Sequence, residues 1–387
     1  MKIVQFSTWN VPCGIAGYTK GLVQGMLDNG ITCEVIPLEE KKTKYMTREE
    51  IKNYFQYCSQ QLIKYDVIHI QHEFSFFAGS YGYNESIINF NFFLQELLKS
   101  NKRVFVTFHT EPSFLHDPFP GIMGMLKKGV KNFKWKYYIT PLFNSKNALN
   151  AVVHTKKTRR IFIDSGFKDK SINLIKQGVT LSDNQNIDFQ DRNALKEKLG
   201  FPENAVVLLM FGFISAYKGY NTALNALKSL PENYYLLIIG EPHPNSKDTA
   251  LDKIVGFINK HKSLKERVRL TGYLELDQLR KYQYVTDFCL VPYAPDTILS
   301  SSASITWALS SGKPVIASKI ASFEELNEDN DCLHLFTPGC AEELAYKIQK
   351  LYENQELIQQ LITNGLTYCQ NNQWSKIAKS HIELYEQ

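Results

Sequence analysis

The feature that most constrains this chain is an alternation. Short runs rich in Val, Ile, Leu and Phe are separated by segments of helical spacing, almost from end to end. Strands are predicted at Lys2–Phe6, Thr32–Ile36, Val67–Gln71, Val104–Phe108, Ala151–Val153 and Ile172–Ile175, with helices at Ala16–Asn29 and Ser86–Lys99. A polar stretch, Thr180–Arg192, shows no periodicity. The pattern then restarts, with strands at Val206–Phe211, Tyr235–Ile239, Val268–Leu270, Phe288–Val291 and Val315–Ala317. Helices are predicted at Tyr220–Leu230, Thr249–Lys260, Ile305–Ser310, Glu342–Glu353 and Trp374–Gln387. Strands that alternate with helices form a parallel sheet covered on both faces. Two such series predict two doubly wound, Rossmann-like α/β domains, at residues 1–180 and 181–370. Ligands of such sheets bind at the C-terminal strand ends, so the cleft between domains is the default site.

Composition narrows the field. With 44% hydrophobic and 13% aromatic residues in 387, each half can bury a full core. A net charge of +5 suits an anionic ligand or a membrane surface and is too weak to argue for nucleic acid. Seven scattered cysteines, with no CxxC pair, point to reduced thiols in a cytoplasm. The N-terminal MKIVQFSTW lacks the apolar core of a signal peptide, and no run approaches the roughly 18 apolar residues of a membrane span. The reading is a soluble chain, at most attached to a membrane from one side.

Chemistry concentrates at a few places. In Leu299–Ser318 a serine run, Ser300, Ser301 and Ser302, opens an apolar helix that Gly312 ends and Pro314 forbids to continue. A serine-lined helix start suits a phosphate, because N–H groups and the helix dipole point at it; an ordinary Ser cap is the plainer alternative. In FGFISAYKGYN a strand ends at Gly212, and Lys218 precedes a helix, either as a cation within reach of a diphosphate or as a lysine in solvent. His69 and His72 in HIQHEF point to opposite strand faces, which argues against a metal site. His72 and Glu73 fall at a strand's C-terminal end, where they could meet an acceptor.

The ordered set VLLMFGFISAYKGYNTALNAL, LLIIGEPHP, RVRLTGYL, QLRKYQYVTDFCLVPY, the serine-led helix and GKPVIAS resembles the donor-binding half of group 1 glycosyltransferases of the GT-B fold (glycosyltransferase family 4). STWNVPCGIAGYTKGL, DVIHIQHEFSFF, VFVTFHTEPSF and AVVHTKKTRRIF resemble the first half in order, and NNQWSKIAKSHIELYEQ resembles the closing helices. The resemblance implies two Rossmann-like domains across a cleft, with residues 371–387 crossing back to the N-terminal domain. It implies retaining transfer of a sugar from a nucleoside diphosphate sugar, with no metal and no cofactor beyond that donor substrate. By the same resemblance Lys218 contacts the diphosphate, Ser300–Ser302 the sugar and phosphate, and His109 the reacting centre. Gly14, Gly17 and Gly212 let the backbone approach the donor.

The sequence also departs from that pattern. Two glutamates of the family correspond here to Leu299 and Trp307, and an arginine to Phe213. Trp307 is then expected to pack on the nucleoside. Asp287 and Glu325 match family positions and read as capping or packing residues. The expected acceptor is a glycan, lipid-linked or protein group, in cell-surface polysaccharide or glycoconjugate synthesis. A non-catalytic GT-B subunit, or a GT-B epimerase, are the rival readings. Met125–Tyr138 mixes five lysines with Phe133, Trp135, Tyr137 and Tyr138. It reads either as peripheral contact with an anionic membrane or as a helix with buried aromatics and solvated lysines.

Overall fold

The computed structural model describes residues 1–112, 129–145, 148–181, 192–242, 248–295, 297 and 301–387. Two compact units emerge, Met1–Gly178 with Ser301 and Asn372–Gln387, and Val179–Thr297 with Ser302–Asn371.

The first unit is built on six parallel strands, β1 (Ile3–Ser7), β2 (Cys33–Pro37), β3 (Val67–His72), β4 (Arg103–Phe108), β5 (Leu149–Val153) and β6 (Ile172–Leu174). They lie in the order β2-β1-β3-β4-β5-β6. Three helices matter here: α1 (Gly14–Asp28), α2 (Arg48–Leu62) and α3 (Tyr83–Leu98). Helix α1 begins two residues before its apolar period does, so Gly14 lies in its first turn and not in the loop before it. Helix α2 escaped the sequence reading, although its start is written locally. Glu50 N–H donates to the Thr47 hydroxyl and Thr47 N–H donates to the Glu50 carboxylate, a capping box. Ile51, Phe55, Cys58 and Leu62 then form its buried stripe.

Period two sorts β3 into two faces. Ile68, Ile70 and His72 face the aromatic core formed with Phe77, Phe90 and Phe93. His69, on the other face, is hydrogen-bonded to Tyr385 and to Thr107 Oγ1.

The second unit repeats the plan with β7 (Val206–Phe211), β8 (Tyr234–Ile239), β9 (Val268–Leu270), β10 (Phe288–Val291), β11 (Val315–Ser318) and β12 (Leu333–Phe336). Their order, β12-β11-β10-β7-β8-β9, reads from the far edge as 3-2-1-4-5-6 in chain order, with the direction reversal between β7 and β10. The short β12 was not anticipated from sequence. Two helices frame the reversal, α4 (Tyr220–Ser229) and α5 (Ala303–Ser310). Asp287 pins the start of β10, accepting from Arg192 at 2.8 Å and from Val207 N–H at 2.7 Å.

The last helix, α6 (Trp374–Glu386), packs on α1 of the first unit. Close approach is possible because α1 carries glycines there. A Cβ at Gly21 would stand 2.2 Å from the Trp374 indole, and one at Gly25 would stand 2.3 Å from the Trp374 carbonyl. Tyr18 holds the contact with its ring edge-on to Trp374 and its hydroxyl 3.3 Å from His381 Nε2.

Candidate active site

The strand reversal of the second unit holds the densest chemistry. A small crevice there is lined by Phe211 at the end of β7, by Val291 at the end of β10 with Pro292 and Tyr293 after it, by Ser304 and Trp307 of α5, and by Lys218. Lys218 is only 4% exposed. Its Nζ donates to the Phe211 carbonyl and to Ser304 Oγ, each at 3.1 Å. Burial pulls its pKa from 10.5 down to about 8, because a desolvated ammonium is held at a cost. It remains a cation at neutral pH.

The backbone around it leaves no slack. Gly212 has φ +100, and a Cβ on it would meet Lys218 Nζ at 2.7 Å and Ser304 Oγ at 3.1 Å. Gly219, at φ +73, passes so close to β10 that a Cβ would lie 1.7 Å from the Pro292 carbonyl. The loop is further tied by Ala294 N–H to the Tyr217 carbonyl at 2.8 Å and by Ser215 Oγ to Asp248 at 2.8 Å. Ser302 caps α5, accepting from Ile305 N–H at 3.4 Å while sharing a 2.9 Å hydrogen bond with the Tyr293 hydroxyl. Trp307 stacks on Phe211 at 4.0 Å between centroids and 22° between planes. A flat aromatic surface therefore stands where the family resemblance places a carboxylate.

In the first unit, His109 follows the end of β4. Its Nε2 lies 2.8 Å from Gln71 Oε1, and Gln71 donates its amide to Gln5 Oε1 at 2.9 Å. That chain makes Nε2 the protonated nitrogen. Burial, followed by the neighbouring His154 and His72, holds the ring well below the usual histidine range. Gly14 and Gly17 open α1 on its exposed side, and among the described residues no atom beyond the helix's own backbone and the adjoining residues lies within 4 Å of a Cβ built on either. Gly21 and Gly25 of the same helix are demanded by Trp374; among the described residues no neighbour makes the same demand at Gly14 and Gly17.

Two expectations meet a different geometry. His72 is fully enclosed by Phe74, Phe77, Phe90 and Phe108, with its plane stacked on Phe77, and it offers no surface to an acceptor. Glu73 caps the short helix Phe74–Ala78, accepting from Ser75 N–H at 2.6 Å. Both belong to the strand's junction with the core. Ser301 and Ser302 are in place ahead of α5, whereas Ser300 and Leu299 lie outside the described residues. Phe213, in the place of the family arginine, is 36% exposed. Among the described residues no three His, Cys, Asp or Glu side chains gather as a metal site.

Sequence reading missed Ser304, Phe211 and Gln71. Ser304, Trp307 and Ala308 fall at helical spacing on one face of α5, a signal that was present. Gln71 shares a strand face with His69, and a polar residue there inside an apolar strand marked a buried network.

The fold as a whole is the GT-B fold. Over the full chain it matches the *Anabaena* protein HepE in complex with UDP-glucose at TM-score 0.72 and 16% identity, covering 100% of this chain and 99% of that one. Sucrose-phosphate synthase from *Thermosynechococcus elongatus* matches at TM-score 0.74 and 17% identity, covering 100% and 98%. Residues 191–367 match the family described as glycosyl transferases group 1. A lipopolysaccharide 1,2-N-acetylglucosaminetransferase of *Salmonella typhimurium* is 26% identical over 166 residues, 42% of this chain and 43% of the relative. An uncharacterized glycosyltransferase of *Methanocaldococcus jannaschii* is 24% identical over 246 residues, 62% and 59% respectively. The chain thus spans less than two thirds of the length of these curated relatives.

Proposed function

We propose that the protein is a retaining, metal-independent glycosyltransferase that moves a sugar from a nucleoside diphosphate sugar to a glycan, lipid-linked or protein acceptor. The observation that carries this reading is Lys218, a buried cation at the strand reversal beside the start of α5. In the reaction the bond from the anomeric carbon to the diphosphate breaks, and a bond to the acceptor oxygen forms on the same face. The acceptor proton leaves with the departing phosphate. Negative charge grows on the diphosphate, so a fixed ammonium and helix N–H dipoles stabilise the transition state more than the ground state. Lys218 supplies the first and the opening turn of α5, with Ser301 and Ser302, the second. Trp307 and Phe211 pack against the nucleoside. His109, its tautomer set by Gln71, orients the sugar, and Gly14 and Gly17 leave room for ligand against the backbone. No cofactor is required beyond the donor substrate.

A relative named for lipopolysaccharide supports the pathway, and a HepE complex with UDP-glucose supports a sugar-nucleotide donor. We assign the chain to cell-surface polysaccharide or glycoconjugate synthesis in the cytoplasm, with peripheral contact at the inner face of a membrane. Among the described residues no helix is long and apolar enough to cross a bilayer. A second reading, a GT-B subunit that binds without turnover, is favoured by the aromatic Trp307 in place of a carboxylate.

A thermal-shift screen against UDP, GDP, ADP, CMP and their sugar conjugates, without added metal, tests the proposal. Ligand at a hundred times its Kd stabilises the fold by roughly 2.7 kcal/mol. A shift with one nucleotide, followed by sugar transfer to an acceptor in the presence of chelator, supports it. Binding without transfer favours the second reading, and no shift with any nucleotide refutes the first.

A further inference from the structure

The helical stretch at residues 129–139 is inside out. Its Trp135 is fully buried against Phe74, Phe108 and Phe167, which anchors the stretch to the first unit. A turn of π-helix, Trp135–Ile139, continues it. Positions at helical spacing on the outer side are Val130, Phe133, Lys134 and Tyr137. Val130 is 50% exposed, Phe133 65% and Tyr137 64%. Phe133 and Tyr137 stack on each other at 5.7 Å and 11°, so the outer face is a preformed apolar ridge. This arrangement is neither alternative in simple form: Trp135 and Ile139 go to the core with Tyr138 packed against it, while Val130, Phe133 and Tyr137 go to water.

The charge carried by the stretch itself has one sign. Residues 129–139 contain Lys131, Lys134 and Lys136 and no carboxylate. Lys131 reaches over the Tyr83 ring at 5.2 Å, and nearby Arg48 lies 4.4 Å from the centre of the Tyr81 ring. Glu85, two residues along α3 from Tyr83, is paired with Arg48 at 3.2 Å.

We propose that this ridge is a docking surface for an anionic lipid bilayer, with Val130, Phe133 and Tyr137 entering the headgroup boundary and Lys134 and Lys136 meeting lipid phosphates. Exposed apolar surface of this kind marks an interaction site. Its chemistry selects the partner. Protein interfaces are depleted of lysine, whereas aromatic side chains flanked by lysines, here Lys134 and Lys136, are the composition of an interfacial helix on a charged membrane. The inference deepens the proposed peripheral membrane contact and rests on that part of the functional reading. It does not depend on catalysis.

The test is co-sedimentation of the full chain with sucrose-loaded vesicles of phosphatidylcholine, alone or mixed with phosphatidylglycerol. Partitioning onto the anionic vesicles should be at least about tenfold stronger and should fall with added salt. The variant Phe133→Ser/Tyr137→Ser should lose at least about tenfold in partitioning. Lys134→Ser/Lys136→Ser should lose the preference for anionic lipid while keeping an unchanged melting temperature. Equal binding to both vesicle types, or variants that bind like the wild type, overturns the proposal. So does a concentration-dependent dimer that Phe133→Ser/Tyr137→Ser abolishes, because the ridge would then belong to a second copy. Vesicle binding by a protein that responds to no nucleotide still supports the surface, so the two readings fail separately.

Discussion

Lys218 is charged in a place that taxes charge, and replacing it with methionine should expose that cost. Its pKa is pulled from 10.5 to about 8, which at about 1.4 kcal/mol per unit makes the charged side chain roughly 3 kcal/mol less welcome in the fold than in the unfolded chain. The folded protein sheds this proton first. Between pH about 8 and 10.5 the unfolded chain therefore holds more protons, and the residue's contribution to stability rises with pH by about 1.4 kcal/mol per unit. Below pH 8 the cost is full and constant. Buried thiols such as Cys289, pushed up to about 11, titrate with the opposite sign in the same range. The measurement is thus the difference in urea-unfolding free energy between wild type and Lys218→Met, taken from pH 7 to 10. That difference should move in favour of the wild type by roughly 2–3 kcal/mol as pH rises. In the wild type alone, nucleoside diphosphate affinity should fall about tenfold per pH unit above 8, and Lys218→Met should bind weakly throughout. A pH-independent difference would refute the argument. It would mean that the bonds to Phe211 and Ser304 offset desolvation and that the ammonium is a structural strut.

Two more predictions rest on packing. His72 is buried among aromatic rings with neither ring nitrogen hydrogen-bonded among the described residues, and burial lowers its pKa to about 3. A neutral histidine of this kind contributes stability that is complete above the unfolded value of 6.5 and is lost as pH falls towards 3, by about 1.4 kcal/mol per unit. His154 and His381, lowered to about 4 and about 3, add losses of the same sign, so the first unit should be acid-labile. In urea melts, His72→Leu should flatten the pH slope by about one proton; an unchanged slope would show that His72 is not neutral and buried in solution. Gly219→Ala should cost at least about 2 kcal/mol in the same assay, because its φ of +73 and the Pro292 carbonyl both oppose a Cβ. A loss below about 0.5 kcal/mol would show that the loop carrying Lys218 is not held against β10.

Much of this molecule was legible along the chain, and the reason is periodicity. Apolar runs such as VVLLMF and YYLLII announce strands buried on both faces, and α1, α4 and α6 follow from apolar spacing alone. Helix α2 was missed because its polar surface dilutes a four-residue stripe, although its capping box stood in the sequence. Gly14 and Gly17 show the limit of a one-dimensional reading. They look like Gly21 and Gly25 until Trp374 arrives from the far end of the chain and occupies the space beside the second pair only.

By itself, then, the sequence determined two doubly wound series of strands and helices and the residues Gly212, Lys218 and Trp307, since these follow from local spacing and chain order. The strand order and its reversal between β7 and β10 came from the tertiary structure. Tertiary structure decided how those residues behave. Lys218 is buried and not solvated because β10 and α5 close over it, and Trp307 finds Phe211 because β7 ends opposite α5. His72 belongs to the core because its strand face meets α3. Along residues 129–139 periodicity marks stripes without saying which is covered. The aromatic pocket that accepts Trp135 is assembled from distant parts of the chain, and it leaves Val130, Phe133 and Tyr137 to the outside.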